Sequence, residues 1–143
     1  MRISNLLAAK GSTVATITGE STVAEAVAEL GRHRIGALVV SSDGAHIDGI
    51  VSERDIVRAL GDRLGALLED PVTSIMTSIV ATCSPEDEIE SLMKTMTERR
   101  IRHVPVVSDG VLAGIVSIGD VVKSRIDELE KDRKELVEYI NAR

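Results

Sequence analysis

At two places in the chain, a serine that directly follows the tripeptide Gly-Ile-Val is itself followed three residues later by an aspartate. The pairs are Ser52 with Asp55 and Ser117 with Asp120. A serine that ends a strand and opens a helix places its hydroxyl beside free backbone N–H groups, and an aspartate one turn later presents two acceptor oxygens on the same side. Such a carboxylate can accept hydrogen bonds from both vicinal hydroxyls of a ribose. The helix N-terminus also favours a nearby anion, such as a phosphate.

A helix cap explains the same spacing without any ligand. A serine side chain at a helix start accepts a hydrogen bond from a backbone N–H group, which stabilises the helix by about 0.5–2 kcal/mol. A single copy of the pattern is therefore interpreted as a cap. Two copies at equivalent positions make ligand binding an equal alternative, and the residues alone leave both interpretations open.

The two junctions belong to an internal repeat. The apolar face of one amphipathic helix returns 66 residues later (89 − 23), and Asp120 corresponds to Asp55 at an offset of 65 (120 − 55), because the second hairpin is one residue shorter. The two faces consist of Val23, Ala26, Val27 and Leu30 and of Ile89, Leu92, Met93 and Met96. Each unit follows the order β-α-β-β-α, which predicts an α/β (α+β) fold built from two repeats.

These patterns divide the chain into four parts. We expect a first repeat over residues 3–60, a connector over 61–71, a second repeat over 72–126 and an extension of the last helix over 127–143. The last helix carries apolar residues at heptad-like spacing, namely Val122, Ile126, Leu129, Leu136 and Ile140. A narrow apolar seam of this kind packs either on its own domain or on a second copy of the chain.

The composition argues against several classes of protein. A net charge of −6 and a single aromatic residue, Tyr139, disfavour nucleic-acid binding, which uses basic surfaces and exposed rings. No apolar stretch approaches the roughly 20 residues that span a bilayer, and the single Cys83 fits a reducing compartment. We therefore expect a cytoplasmic protein without membrane contact. The three histidines are far apart and no nucleophile–base constellation is present, so neither a metal site nor catalysis is expected.

The repeated unit resembles a known family. Two β-α-β-β-α units that each end in Gly-Ile-Val-Ser-x-x-Asp, together with the strand-like segment Arg102–Val107, are similar to a tandem CBS-domain module, named after cystathionine β-synthase. The resemblance is greatest to small stand-alone bacterial members, and it implies two repeats packed as one pseudo-twofold unit with an extended C-terminal helix. It also implies a homodimer and a separate downstream protein target.

For function, the resemblance implies a non-enzymatic regulatory module. The expected ligand is an adenine nucleotide in the cleft between the repeats, with AMP placed first and ATP or NAD(H) as alternatives. A second interpretation is a module for protein interaction or dimerisation that binds no ligand.

The resemblance also assigns candidate binding residues. In that family the Ser-x-x-Asp pair holds the ribose, which marks both pairs in this chain. The segments expected to lie around the base are Thr16, Thr82, the backbone of Gly36, Ala37 and Leu38, and the backbone of Arg102, His103, Val104 and Pro105. Aliphatic side chains such as Val80, Val104 and Ile115 would cover the base, because no aromatic side chain is available.

Phosphate groups need cations, and Arg54 lies inside the first junction. Its guanidinium either points into the cleft towards a phosphate or is a solvated surface group, and both interpretations stay open. Gly119 occupies the equivalent position in the second junction, so the two sites are expected to differ.

Overall fold

The computed structural model describes residues 1–78 and 80–142. Within them lie helices α1 (Ile3–Lys10), α2 (Val23–His33), α3 (Glu53–Arg63), α4 (Ile89–Arg99) and α5 (Ile118–Asn141). The strands are β1 (Thr16–Ile17), β2 (Ala37–Val40), β3 (Gly49–Ser52), β4 (His103–Ser108) and β5 (Val111–Ser117). Two short 3₁₀ helices, Leu64–Glu69 and Val72–Ser74, stand between the halves. The predicted mixed fold of two repeats with a long last helix is confirmed.

The first repeat is a three-stranded sheet with two helices. Along the chain, α2 lies between β1 and β2, and α3 follows β3. β1 runs parallel to β2, and β2 pairs antiparallel with β3. All four residues of β2 are apolar and buried, which is typical of a strand that is covered on both faces. Helix α2 begins after Thr22, whose hydroxyl accepts the backbone N–H of Glu25. Val27 was predicted on the buried face of α2, but its side chain is 44% exposed because it lies at the edge of that face.

The second repeat has the same order with a shorter first strand. β4 and β5 form an antiparallel pair, and the counterpart of β1 is reduced to a single parallel bridge between Cys83 and Val106. Helix α4 buries Ile89, Leu92 and Met96, which confirms three positions of its predicted apolar face.

The first segment of each predicted repeat packs into the core of the other repeat. Ile3 and Leu6 of α1 open the first predicted repeat, yet they are buried among residues of α4, β4 and β5. Val72 opens the second predicted repeat and is fully buried in the core of the first. Backbone hydrogen bonds hold both segments, from Ile3 N–H to the Asp87 carbonyl and from Val72 N–H to the Ser21 carbonyl. We call α1 and residues 72–77 the exchanged segments.

Two equivalent glycines give the exchanged segments room to approach the sheets. A Cβ atom at Gly49 in β3 would lie 2.8 Å from the carbonyl oxygen of Thr77, just after Val72–Ser74. A Cβ atom at Gly114 in β5 would lie 2.8 Å from a methyl carbon of Leu7 in α1. Neither glycine has a positive φ, so space rather than backbone conformation requires glycine at both places.

Helix α5 leaves the second repeat and carries an apolar stripe on its surface. Val121 is fully buried, whereas the residues of the predicted seam are 47–59% exposed. These residues are Val122, Ile126, Leu129, Leu136 and Ile140. Within this chain, therefore, the seam does not pack on its own domain. Over the residues described, no helix combines the length and apolar character needed to cross a membrane.

Candidate functional site

The two Ser-x-x-Asp junctions have nearly the same geometry. At the first junction, the backbone N–H of Ser52 donates to Oδ2 of Asp55 at 2.8 Å, and the N–H of Asp55 donates to Oγ of Ser52 at 3.3 Å. The matching distances between Ser117 and Asp120 are 2.9 and 3.1 Å. Both pairs are therefore reciprocal helix caps, so the capping interpretation is confirmed at each junction. Both aspartates are only partly buried, and a carboxylate has lone pairs beyond those that the cap uses.

An exchanged segment contacts the aspartate of each junction. Lys10, at the end of α1, donates from Nζ to Oδ2 of Asp120 at 2.5 Å and to the Ile115 carbonyl at 2.7 Å. Thr77 donates from its hydroxyl to Oδ1 of Asp55 at 3.4 Å. Sequence reasoning missed both residues. Lys10 lies 110 positions from Asp120, and no local pattern marks it as a partner.

The pKa of Asp120 reflects this contact. Burial alone would raise the pKa, because a low-polarity environment disfavours the charged carboxylate. Hydrogen bonds from Lys10 and Ser117, together with the positive charge of Lys10, outweigh burial and lower the pKa below its ordinary value. Asp120 is therefore a carboxylate at neutral pH, which is the form that accepts hydrogen bonds from hydroxyl groups.

A cavity of about 510 Å³ lies between α1 and α5, beside Asp120. Its size is within the range of pockets that bind small molecules. Apolar side chains of α1 line one wall. Lys10, Lys123 and Lys131 supply positive charge, and Asp120, Asp127 and Glu128 supply an equal number of negative charges. A second cavity, of about 420 Å³, borders Thr16 together with Glu25 and Glu29. Thr16 therefore borders a different cavity from Asp120, on the first repeat.

Residues predicted from both repeats meet at the centre of the molecule. A Cβ atom on Gly36 would lie 3.0 Å from Cε1 of His103, so the first-repeat glycine faces the second-repeat histidine. The Gly36 carbonyl accepts the N–H of Glu53 at 3.0 Å. The equivalent bond runs from Ile118 N–H to the Arg102 carbonyl at 2.8 Å. The backbone just before β2 thus lies beside the first turn of α3, and the backbone just before β4 lies beside the first turn of α5.

His103 is half-buried at this centre, and its pKa is lowered. Burial is the largest cause, since it disfavours the imidazolium. The charges of Glu53 and Asp120 oppose that effect, while those of Arg102 and Lys10 add to it. His103 is consequently neutral over most of the physiological pH range, with one ring nitrogen available as an acceptor and one as a donor.

Arg54 links the two repeats. Its guanidinium donates to the carbonyl oxygen of Arg100 at 3.1 Å, just after the end of α4. Gly119, at the equivalent position in the second repeat, has no side chain with which to make such a contact. The predicted asymmetry between the junctions is thus also an asymmetry in how the repeats are joined.

The remaining predicted residues differ in accessibility. Ala37, Leu38, Val104 and Pro105 are buried, Val80 is half-buried, and Thr82 and Gly119 are exposed. The side chain of Val104 has no exposed surface, because it packs in the core with Met96 and Val116, so it cannot cover a base. Strand pairing still places backbone beside the junctions, with Ala37 opposite Ser52 and His103 opposite Ser117.

Fold, repeat and junction geometry together define a tandem pair of small regulatory-type domains. The CBS-domain description matches residues 11–62 and 72–127. The chain therefore belongs to the CBS-domain family, with two CBS domains.

Solved structures of family members are similar over most of the chain. A CBS-domain containing protein of Agrobacterium tumefaciens is 42% identical, with a TM-score of 0.85 over 87% of this chain and 99% of that one. A CBS domain protein of Pyrobaculum aerophilum, whose structure is a complex with AMP, is 32% identical, with a TM-score of 0.75 over 84% of this chain and 89% of that one.

A curated relative extends the comparison to plants. The mitochondrial CBS domain-containing protein CBSX3 of Arabidopsis thaliana is 37% identical over 127 residues, which is 86% of this chain. The match spans only 62% of the plant protein's length.

Proposed function

We propose that this chain is a non-enzymatic regulatory module that binds an adenine nucleotide at its Ser-x-x-Asp junctions. AMP is the first candidate, and ATP and NAD(H) are alternatives. The proposal includes a cytoplasmic setting and a downstream protein target that responds to the bound state.

The observation that carries the proposal is the pair of matched carboxylates. Asp55 and Asp120 stand in the same geometry at equivalent helix starts, and a cavity large enough for a nucleotide adjoins Asp120. A helix cap alone explains the hydrogen bonds of each junction, but it does not explain the cavity beside Asp120. The AMP complex of the Pyrobaculum aerophilum relative supports AMP as the first ligand to test.

Other predicted residues take defined roles in the proposal. The carboxylates would accept the ribose hydroxyls, and the backbone of Gly36–Leu38 and of Arg102–Pro105 would hydrogen-bond the base edge. Arg54 would supply a cation for the phosphate after releasing the Arg100 carbonyl. Thr16, Val80, Thr82 and Gly119 would line the remaining surface around the ligand.

A second candidate function is a dimerisation module that needs no ligand. The exposed stripe on α5 favours it, because an apolar seam at heptad-like spacing is typical of helices that pair. A homodimer through α5 is also compatible with nucleotide binding. The two functions therefore have to be separated by a measurement that changes one and not the other.

Thermal unfolding with AMP, ATP, NAD and NADH tests the proposal. At a concentration of about 100 times Kd, a ligand stabilises the native state by about 2.7 kcal/mol, which shifts Tm by roughly 5–11 °C for a chain of this size. Asp120→Ala and Asp55→Ala are expected to weaken binding at their own junction by at least about a hundredfold, because hydrogen bonds to a charged group are worth about 1.5–3 kcal/mol each.

Thr22→Ala is the matched control. It also removes a helix cap, but at α2 and away from both junctions, so it should lower Tm without changing nucleotide affinity. Sedimentation equilibrium of the Asp55→Ala/Asp120→Ala double variant should show unchanged assembly. If no nucleotide shifts Tm while the chain forms dimers that Leu129→Glu disrupts, the ligand-free dimerisation module is the correct function.

A further inference from the structure

The two junctions differ in the side chain that reaches each aspartate. At the first, the partner is the neutral hydroxyl of Thr77, at 3.4 Å from Asp55. At the second, it is the ammonium of Lys10, at 2.5 Å from Asp120. Both junctions share the two cap hydrogen bonds, and at the first junction the Ser52 hydroxyl also donates to Oδ2 of Asp55 at 3.0 Å. The partners from the exchanged segments differ in charge.

Lys10 and Thr77 arrive by corresponding routes. Lys10 ends α1, and Thr77 follows Val72–Ser74, so each comes from an exchanged segment. Thr77 pairs through its backbone with Ile50 in β3, whereas Lys10 uses its side chain to contact Ile115, the equivalent residue of β5. The ion pair therefore replaces a neutral contact at a matched position of the fold.

This ion pair competes with a ribose. Oδ2 of Asp120 already accepts the Ser117 N–H and the Lys10 ammonium, so a ribose hydroxyl that donates to Oδ2 has to take the place of the ammonium, whereas a second hydroxyl can donate to Oδ1. The Lys10 and Asp120 side chains are only 30% and 26% exposed, so water replaces the lost partner incompletely. A displaced ammonium keeps the Ile115 carbonyl and needs a second acceptor. The other carboxylates that line the same cavity are Asp127 and Glu128, and Glu128 already pairs with Arg125.

A phosphate on the same ligand provides that acceptor. The lysine stem is flexible and its ammonium is a strong point-charge partner for phosphate, so Lys10 can exchange one anion for another as the ligand enters. A nucleoside offers hydroxyl groups that displace the ammonium but no anion to receive it. Neutral ligands are thus penalised at this junction and phosphorylated ligands are not.

We propose that Lys10 is a specificity-determining residue, which makes the Asp120 junction selective for phosphorylated nucleotides over nucleosides. The inference rests on the proposed function and adds to it the chemical class of ligand at one of the two sites. The Asp55 junction, where Thr77 takes the corresponding place, lacks this selection.

Calorimetric titration with AMP and with adenosine tests the inference in an Asp55→Ala background, in which only the Asp120 junction is intact. AMP is expected to bind at least about tenfold more tightly than adenosine, the size of one hydrogen bond to a charged group. Lys10→Met should bring the two affinities to within about threefold of each other. Lys10→Arg should keep the preference, as should the control Lys94→Met, which removes a lysine on the exposed face of α4.

The outcomes separate the two proposals. An unchanged preference for AMP in Lys10→Met would overturn the role of Lys10 while leaving nucleotide binding intact. Absence of binding by AMP, ATP, NAD and NADH to the wild-type chain would overturn the proposed function and this inference with it.

A second readout needs no ligand. Carboxyl titration of Asp120 by NMR should show a higher pKa in Lys10→Met than in the wild type, because the lysine's hydrogen bond and charge are gone. An equal pKa in both proteins would mean that the ion pair does not form in solution, and it would overturn the inference directly.

Discussion

Replacing Gly49 by alanine places a methyl group against the backbone of an exchanged segment. The new Cβ would lie 2.8 Å from the Thr77 carbonyl oxygen, whereas ordinary contacts begin at 3.4 Å. Two backbone hydrogen bonds join the same strands, from Ile50 N–H to Thr77 O at 2.9 Å and from Thr77 N–H to Ile50 O at 2.8 Å. The carbonyl cannot move away without weakening both bonds.

The expected cost follows from those two hydrogen bonds. Each contributes a net of about 0.5–1.5 kcal/mol, so their loss costs about 1–3 kcal/mol, which is also the usual range for overpacking. Gly114→Ala is the matched control at the equivalent position. There the clash is with the methyl groups of Leu7, which can rotate, and alanine's lower chain entropy offsets part of the strain. We expect Gly114→Ala to cost less than about 1 kcal/mol.

Urea unfolding followed by circular dichroism measures both variants. The free energy of unfolding should fall further in Gly49→Ala than in Gly114→Ala, by about 1.5 kcal/mol at the midpoints of the two expected ranges, with similar m-values. Amide exchange at Ile50 and Thr77 should accelerate only in Gly49→Ala. Equal destabilisation, or a milder effect at Gly49, would refute the close backbone approach of the exchanged segment at β3.

Two titratable groups give further predictions. Burial, helped by the charge of Asp87, raises the pKa of the Cys83 thiol to about 12. At pH 8 the thiol should therefore react with a disulfide reagent roughly a thousandfold more slowly in the folded chain than in the urea-unfolded chain. A fast reaction of the folded chain would contradict the burial of Cys83. The lowered pKa of His103 means that the unfolded chain binds more protons near pH 6, so stability should fall as pH drops below about 6.5, by at most about 1.4 kcal/mol per pH unit for this group. His103→Gln should flatten that slope between pH 5.5 and 7, and an unchanged slope would show that other groups cause it.

Local features of this fold were predictable because they depend on neighbouring residues. The spacing of Val23, Ala26 and Leu30 predicted the buried face of α2. The helix starts at Ser52 and Ser117 followed from the Ser-x-x-Asp spacing alone. Val27 was misplaced because periodicity indicates the direction of a buried face but not its width.

Long-range features were not predictable from the same patterns. The apolar residues Ile3 and Leu6 indicated burial, but nothing in their spacing showed that they pack in the second repeat rather than the first. The contact between Lys10 and Asp120 depends on that packing, so it was missed for the same reason. The ligand-binding residues and the four-part division of the chain stay predictions, since burial and hydrogen bonds alone do not show which residues meet a nucleotide.

The exchanged segments impose an order on folding during synthesis. Val72 leaves the ribosome soon after β3 and α3, so the first repeat can complete its core while the rest of the chain is still being made. Helix α1 emerges ahead of β1, yet its partner Ile89 follows Ile3 by 86 residues (89 − 3), which corresponds to roughly 4–17 s at ordinary elongation rates. Leu6 and Leu7 have to stay exposed, or be shielded by a chaperone, throughout that interval. Helix α1 is therefore synthesised before the sheet of the first repeat but reaches its native contacts after it.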